Sequence, residues 1–347
     1  MTLAVRYTSA RTLDTAPAAP SSPGPGEVEL APAYVGICGT DLHIFHGDMD
    51  ARVQAPAVLG HEMSGRVVRV GPGVEGWQPG DAVTVMPLRW DDTCPACRAG
   101  HQHICQHLDF IGIDSPGAMQ QRWTVPASTL IRLPASLPLD RAALVEPTAV
   151  AVHDVGRAEV AEDEKVVVVG GGPVGILIAL VARAAGADVR VVEPSAHRRL
   201  LAEELGLTAW NPADDDVPEL VRRWTGDAGA DVAFEVSGAA AGVDTAVDVL
   251  GVRGRLCLVA IHPRPREVNL HRFFWRELTL VGARLYDHGD FERAVALVAD
   301  GTIPAERLIS KVVALTQAPA AFEALEGGGD VMKILVDCTD DAQGAAV

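Results

Sequence analysis

Positive charge is scarce in this chain: 29 Lys and Arg stand against 46 Asp and Glu over 347 residues, a formal charge of −17. Binding a phosphate backbone draws on clustered Lys and Arg that release counterions. A nucleic-acid partner is therefore excluded from the reading, and an acidic membrane surface is disfavoured on the same ground. Long apolar runs are missing as well. The most apolar helical stretch, Ile176 to Ala185, is too short to cross a bilayer and carries Arg183. The opening residues, Met1-Thr2-Leu3-Ala4-Val5-Arg6, lack the basic segment and apolar core of a secretory signal. A cytoplasmic protein with no membrane partner is expected. Cysteine is sparse, at six residues; in a reducing compartment these read as metal ligands or buried thiols before disulfides.

The composition is otherwise that of a globular protein, 48% hydrophobic and 22% charged, and long enough for two domains. Between Thr15 and Gly26, Pro17, Pro20, Pro23 and Pro25 predict an irregular surface connector. From Gly65 to Val85, period-2 alternation with Gly and Pro punctuation predicts a compact, barrel-like β unit. Asp154 to Gly282 alternates strands and helices. Expected strands are Val166–Val169, Val189–Glu193, Asp231–Val236, Gly254–Val259 and Leu278–Gly282, with Cys257 a core thiol. The tail returns to helix over Phe291–Asp300 and ends on a strand, Lys333–Val336, expected to rejoin the first domain, with Cys338 also in the core.

Two groups of residues have metal-ligand chemistry. Cys38, in Cys38-Gly39-Thr40-Asp41-Leu42-His43, and His61-Glu62 offer a thiolate, an imidazole and a carboxylate to one ion. Three protein ligands with a free fourth position describe a catalytic zinc. Glu146 lies in the apolar stretch Leu144 to His153, where an unpaired carboxylate is costly. It is either a second carboxylate for that ion or a helix-start Glu favoured by the dipole. The second group is Cys94, Cys97 and Cys105. A closed structural zinc site needs a fourth ligand. Asp91, three residues before Cys94, is the leading candidate and, as a harder donor, would bind zinc more weakly; His101, His103 and His107 compete for the position.

Gly170, Gly172 and Gly175 form G-x-G-x-x-G across Gly170-Gly171-Gly172-Pro173-Val174-Gly175, between a buried strand and a helix. That context makes it a dinucleotide turn. Glu193 ends the next strand, where an acid binds a ribose 2′-hydroxyl and repels a 2′-phosphate. NAD is favoured. Ser195, Arg198 and Arg199 leave NADP open, and Arg198 either stacks on adenine or lies on a solvated helix face. A Lewis-acid metal and a nicotinamide site in one chain point to hydride transfer from an alcohol, a small-molecule substrate.

Taken in order, Cys38-Gly39-Thr40-Asp41, Gly60-His61-Glu62, the Cys loop, Val145-Glu146-Pro147, the Gly170–Gly175 turn and Arg276-Glu277-Leu278-Thr279 resemble the zinc-dependent medium-chain dehydrogenases of the sorbitol and threonine dehydrogenase branch. The resemblance implies an α/β protein. A GroES-like, β-rich catalytic domain (1–153 and 283–347) would be split around a Rossmann domain (154–282), with the active site in the cleft between them. It implies Cys38 and His61 as catalytic zinc ligands, Glu62 as ligand or close neighbour, and Glu146 bound directly or through water. Thr40 and His43 would be a proton relay, and the assembly a homotetramer or homodimer. The expected substrate is a secondary alcohol on a polyol, sugar acid or amino alcohol. Two departures stand out: Asp91 occupies the place of the structural loop's first Cys, and Ala283-Arg284-Leu285-Tyr286 carries its Arg one step early. Ile44, Phe45, Ile113 and Tyr286 are the pocket candidates. The rival readings are an NADPH-dependent reductase without catalytic zinc and a catalytically silent nucleotide-binding protein.

Overall fold

The computed structural model describes residues 2–19, 22–262, 264–326 and 330–339. The chain divides into two compact units, Met1–Glu146 with Asp287–Val347, and Pro147–Tyr286. These borders fall a few residues before 153/154 and after 282/283.

In the first unit the main sheet runs Leu130–Arg132, Ala82–Val85, Glu62–Val70, Glu27–Gly36, Lys333–Asp337, Ile309–Ala314, with Trp123–Pro126 also paired to Glu27–Gly36. The C-terminal strand is thus laid antiparallel beside Glu27–Gly36, with Leu335 opposite Gly36, while Glu62 pairs with Gly36 from the other side. A smaller sheet holds Thr12–Ala18, Thr2–Ser9 and Ala57–Val58. Its first strand corrects the reading of Thr15–Gly26 as irregular throughout. Thr12–Ala18 pairs along its length, with Pro17 opposite Leu3. It is an edge strand, where the missing proline N–H costs no ladder bond. Of the four prolines named above, Pro20 lies outside the described residues.

The second unit is a six-stranded parallel sheet in the order Thr208–Trp210, Asp188–Val192, Lys165–Val169, Ala230–Glu235, Leu250–Leu258, Thr279–Gly282. Numbered along the unit this is 3-2-1-4-5-6, the doubly wound dinucleotide-binding arrangement, whose ligands sit beyond the carboxyl ends of strands 1 and 4. Val166, Val167 and Val168 are wholly buried, as a parallel strand covered on both faces requires. The helix Pro173–Ala184 follows directly. Cys257 and Cys338 are buried thiols. No helix among the described residues is long and apolar enough to cross a membrane.

Candidate active site

The short helix Gly39–His46 begins at Cys38, whose backbone N–H donates to Asp41 Oδ2 at 2.9 Å. Asp41 is fully buried, and its other oxygen lies 3.6 Å from His61 Nδ1. That distance is an ion-pair approach rather than a hydrogen bond. One carboxylate thereby fixes the helix start that carries the thiol and faces the distal side of the imidazole, leaving Nε2 for an ion. Cys38, His61 and Glu62 each present a donor atom within 4.8 Å of the others. His61 is buried, which alone would lower its pKa; Asp41 and then Cys38 outweigh this and hold it well above 6.5. An incoming cation would displace that proton. The donor set of thiol, imidazole and carboxylate suits zinc.

Glu62 has a partner that its sequence neighbours do not announce. Lys333 Nζ donates to both carboxylate oxygens, at 2.8 and 2.7 Å, and to the Ile37 carbonyl at 3.1 Å. Both side chains are almost wholly buried. They meet across Gly36 of the intervening strand, where a Cβ would lie 2.1 Å from Glu62 Oε2. Lys333 keeps its charge: burial would lower its pKa, but Glu62, followed by Cys38, raises it above the ordinary 10.5. Glu146 is buried in the first turn of Val145–Arg157 and raises the pKa of both His61 and Lys333. It stands outside the 4.8 Å set, so the structure brings together three of the four expected residues. The reason is local: Glu146 projects from a helix start, whereas His61 and Glu62 are adjacent at a strand start.

Asp91, Cys94, Cys97 and Cys105 also bring one donor atom each within 4.8 Å of one another. None of the three competing histidines belongs to that set; His107 instead holds Asp91 Oδ2 through Nδ1 at 2.5 Å. Asp91 Oδ1 accepts the backbone N–H groups of Thr93 and Cys94. His107, before these backbone groups, depresses the Asp91 pKa far below the usual carboxylate range. The N–H groups of Cys97 and Gln106 lower Cys94 to about 7. A tetrahedral cation fits this cluster.

In the second unit a cavity of about 360 Å³ opens where strands 1 and 4 of its sheet end, lined by Gly170, Gly172, Glu193, Arg198, Val236 and Ser237 among others. A Cβ on Gly175 would lie 1.8 Å from the Gly170 carbonyl oxygen, so helix and strand meet there only as glycine allows. A Cβ on Gly172 would meet only Arg198 Nη1, at 3.8 Å, so the approach a pyrophosphate needs is free. Pro173 and Val174 form the first helical turn behind it. Glu193 accepts from the N–H of Gly171 and of Ser195, both at 2.7 Å, and lies 3.9 Å from Arg198. Arg199 is spent on the carbonyls of Glu193 and Pro194. Glu235, absent from the sequence reading, is fully buried. It accepts from Ser237 and Gly238 N–H and lies 2.9 Å from His262 Nε2, bracing the cavity wall.

Residues 24–135 match the model of the alcohol dehydrogenase GroES-like domain and residues 173–300 that of the zinc-binding dehydrogenases. A 2-dehydro-3-deoxy-L-galactonate 5-dehydrogenase of Pseudoalteromonas atlantica is 50% identical over 317 residues, 91% of this chain and 93% of that one. The chain belongs to the zinc-dependent medium-chain dehydrogenases. Solved structures share its fold. The 2R,3R-butanediol dehydrogenase of Bacillus subtilis is 30% identical with a TM-score of 0.90, covering 97% of this chain and 99% of that one. A zinc-binding dehydrogenase of Sinorhizobium meliloti 1021 bound to NADP is 31% identical with the same TM-score and coverage. The protein is an NAD(P)-dependent alcohol or polyol dehydrogenase that uses zinc and a nicotinamide nucleotide. Of the pocket candidates, Ile44, Phe45, Ile113 and Tyr286 are all buried, Phe45 against Phe322 with ring centroids 5.6 Å apart.

Proposed function

We propose that this protein oxidises a secondary alcohol of a sugar acid with NAD as hydride acceptor, within the wider range of polyols and amino alcohols. The supporting observation is the buried convergence of Cys38, His61 and Glu62, with Asp41 behind the imidazole and Lys333 on the carboxylate. Zinc, when bound, supplies the Lewis acidity that brings an alcohol's pKa toward neutrality. Cys38 and His61 hold it, and Asp41 orients His61. Excess negative charge around the ion would weaken its Lewis acidity, and Lys333 counters it. Cys38, Glu62 and Glu146 bring anionic groups to the site, and the Lys333 ammonium on Glu62 offsets part of that charge. Thr40 and His43 lie three residues apart on the helix Gly39–His46, hence on one face, and carry the alcohol proton outward. Asp91, Cys94, Cys97 and Cys105 hold a second, structural zinc. Gly170, Gly172, Pro173, Val174 and Gly175 seat the pyrophosphate, Glu193 the adenosine ribose, and Arg198 the adenine side.

The sugar-acid substrate rests on the relative at 50% identity. Glu193 favours NAD; Arg198 beside it is the feature that would admit NADP. The exposed edge strand Thr279–Gly282, with exposed Leu270, Phe274, Trp275 and Leu280 nearby in sequence, supports a homodimer or homotetramer. Six free thiols suit the cytoplasm. The test is metal analysis together with reduction of NAD⁺ and NADP⁺ on a panel of sugar acids, polyols and amino alcohols. Two zinc ions per chain and fastest NAD⁺ reduction on a sugar acid are expected. Turnover with catalytic zinc absent, or none on any alcohol, refutes the reading.

A further inference from the structure

We infer that Asp48 is a positioning residue for proton exit: it holds His43 in the tautomer that leaves Nε2 free to accept the proton. The inference rests on the relay role given to His43 above. His43 Nδ1 lies 3.2 Å from Asp48 Oδ2. A carboxylate accepts only, so the proton on the neutral ring sits on Nδ1 and the lone pair on Nε2.

Asp48 stands on a braced support. Gly47 ends the helix in the left-handed region, at φ 85°, and the N–H groups of Gly47 and Asp48 return to the Ile44 and His43 carbonyls. A Cβ on Gly47 would lie 2.9 Å from the Ala10 Cβ, so the helix end is seated against the turn that joins Thr2–Ser9 to Thr12–Ala18. The buried Tyr7 hydroxyl donates to Asp50. Arg52 donates through Nε and Nη2 to the two Asp114 oxygens at 2.7 and 2.6 Å. The segment from Gly47 to Val53 is thereby tied at its start, middle and end, and the carboxylate is presented to His43 at a fixed place. In each turnover Nε2 takes one proton from the Thr40 side, the imidazolium forms beside an ionised Asp48, and the same proton leaves to solvent. Asp48 itself is not protonated.

The pair is partly exposed, so the expected effect is modest. Asp48→Ala should lower kcat about 2- to 5-fold with KM for the alcohol unchanged. The distinguishing readout is ¹⁵N NMR of the His43 ring in the zinc-loaded protein: an Nδ1–H tautomer in the parent, and a shift toward Nε2–H in Asp48→Ala. A parent ring already in the Nε2–H form, or a variant with unchanged tautomer and kcat, overturns the inference. His43→Gln separates the two layers. If His43→Gln is slow while Asp48→Ala is normal, only the positioning role fails; if His43→Gln turns over normally, the relay reading fails with it.

Discussion

Replacing Lys333 by Met tests a deeply buried ion pair of the catalytic unit. The side chains of Lys333 and Glu62 are 4% and 2% exposed, and Nζ reaches both Glu62 oxygens and one carbonyl. Removing one partner of such a pair leaves an unmatched buried charge, a loss of about 3–5 kcal/mol. For a domain of this size that is about 2–4 °C per kcal/mol, so the metal-free protein should melt about 6–20 °C lower. Zinc should recover part of this, because the freed carboxylate gains an ion. Differential scanning calorimetry with and without zinc reads both effects. The double variant Lys333→Met, Glu62→Gln removes both charges and should regain more than half of the lost stability, a coupling of about 2 kcal/mol or more. A single variant that melts within about 2 °C of the parent, or a double variant that only adds the two losses, refutes the argument.

Three further outcomes are expected. The raised Lys333 pKa means the folded state holds that proton more tightly than the unfolded chain does. Its contribution is therefore complete below about 10.5 and lost as pH rises through the folded-state value, and a melting-temperature series in that window should be flatter in Lys333→Met than in the parent. Asp91→Ala should lower zinc content from two ions per chain to one, measured by plasma mass spectrometry, while Asp91→Cys should slow zinc loss to a chelator; two ions retained in Asp91→Ala would remove Asp91 from the ligand set. Glu193→Ala should cut kcat/KM for NAD⁺ by about 10-fold or more and narrow its advantage over NADP⁺, since a hydrogen bond to a charged group is worth about 1.5–3 kcal/mol; an unchanged ratio of the two cofactors counts against its role.

What the sequence revealed depended on distance along the chain. The strand, turn and helix at 165–184 were legible because the valine run, the spaced glycines and the apolar helix are contiguous. The strand Thr208–Trp210, three residues long, has too few positions for alternation to register. Thr12–Ala18 was hidden by a proline that only its edge position makes harmless. At the site, Cys38, His61 and Glu62 stood out by residue type. Asp41 was in view, yet its two tasks follow only once the helix start is folded against His61. Lys333 looked like an ordinary residue at the head of a strand, since nothing nearby in sequence hints at Glu62. Ile44, Phe45, Ile113 and Tyr286 were legible as apolar, and all four are buried.

The pairing of Glu62 with Lys333 also bears on how the molecule is made. On the ribosome Glu62 emerges 271 residues ahead of its cation, and the whole of Pro147–Tyr286 is synthesised in between. Throughout that interval the nascent catalytic unit lacks both the strand that completes its sheet and the charge that quiets its carboxylate. Final locking of that unit is thus deferred until translation has almost finished, and a chain truncated before Lys333 would carry Cys38, His61 and Glu62 yet lack the cation that pairs with Glu62.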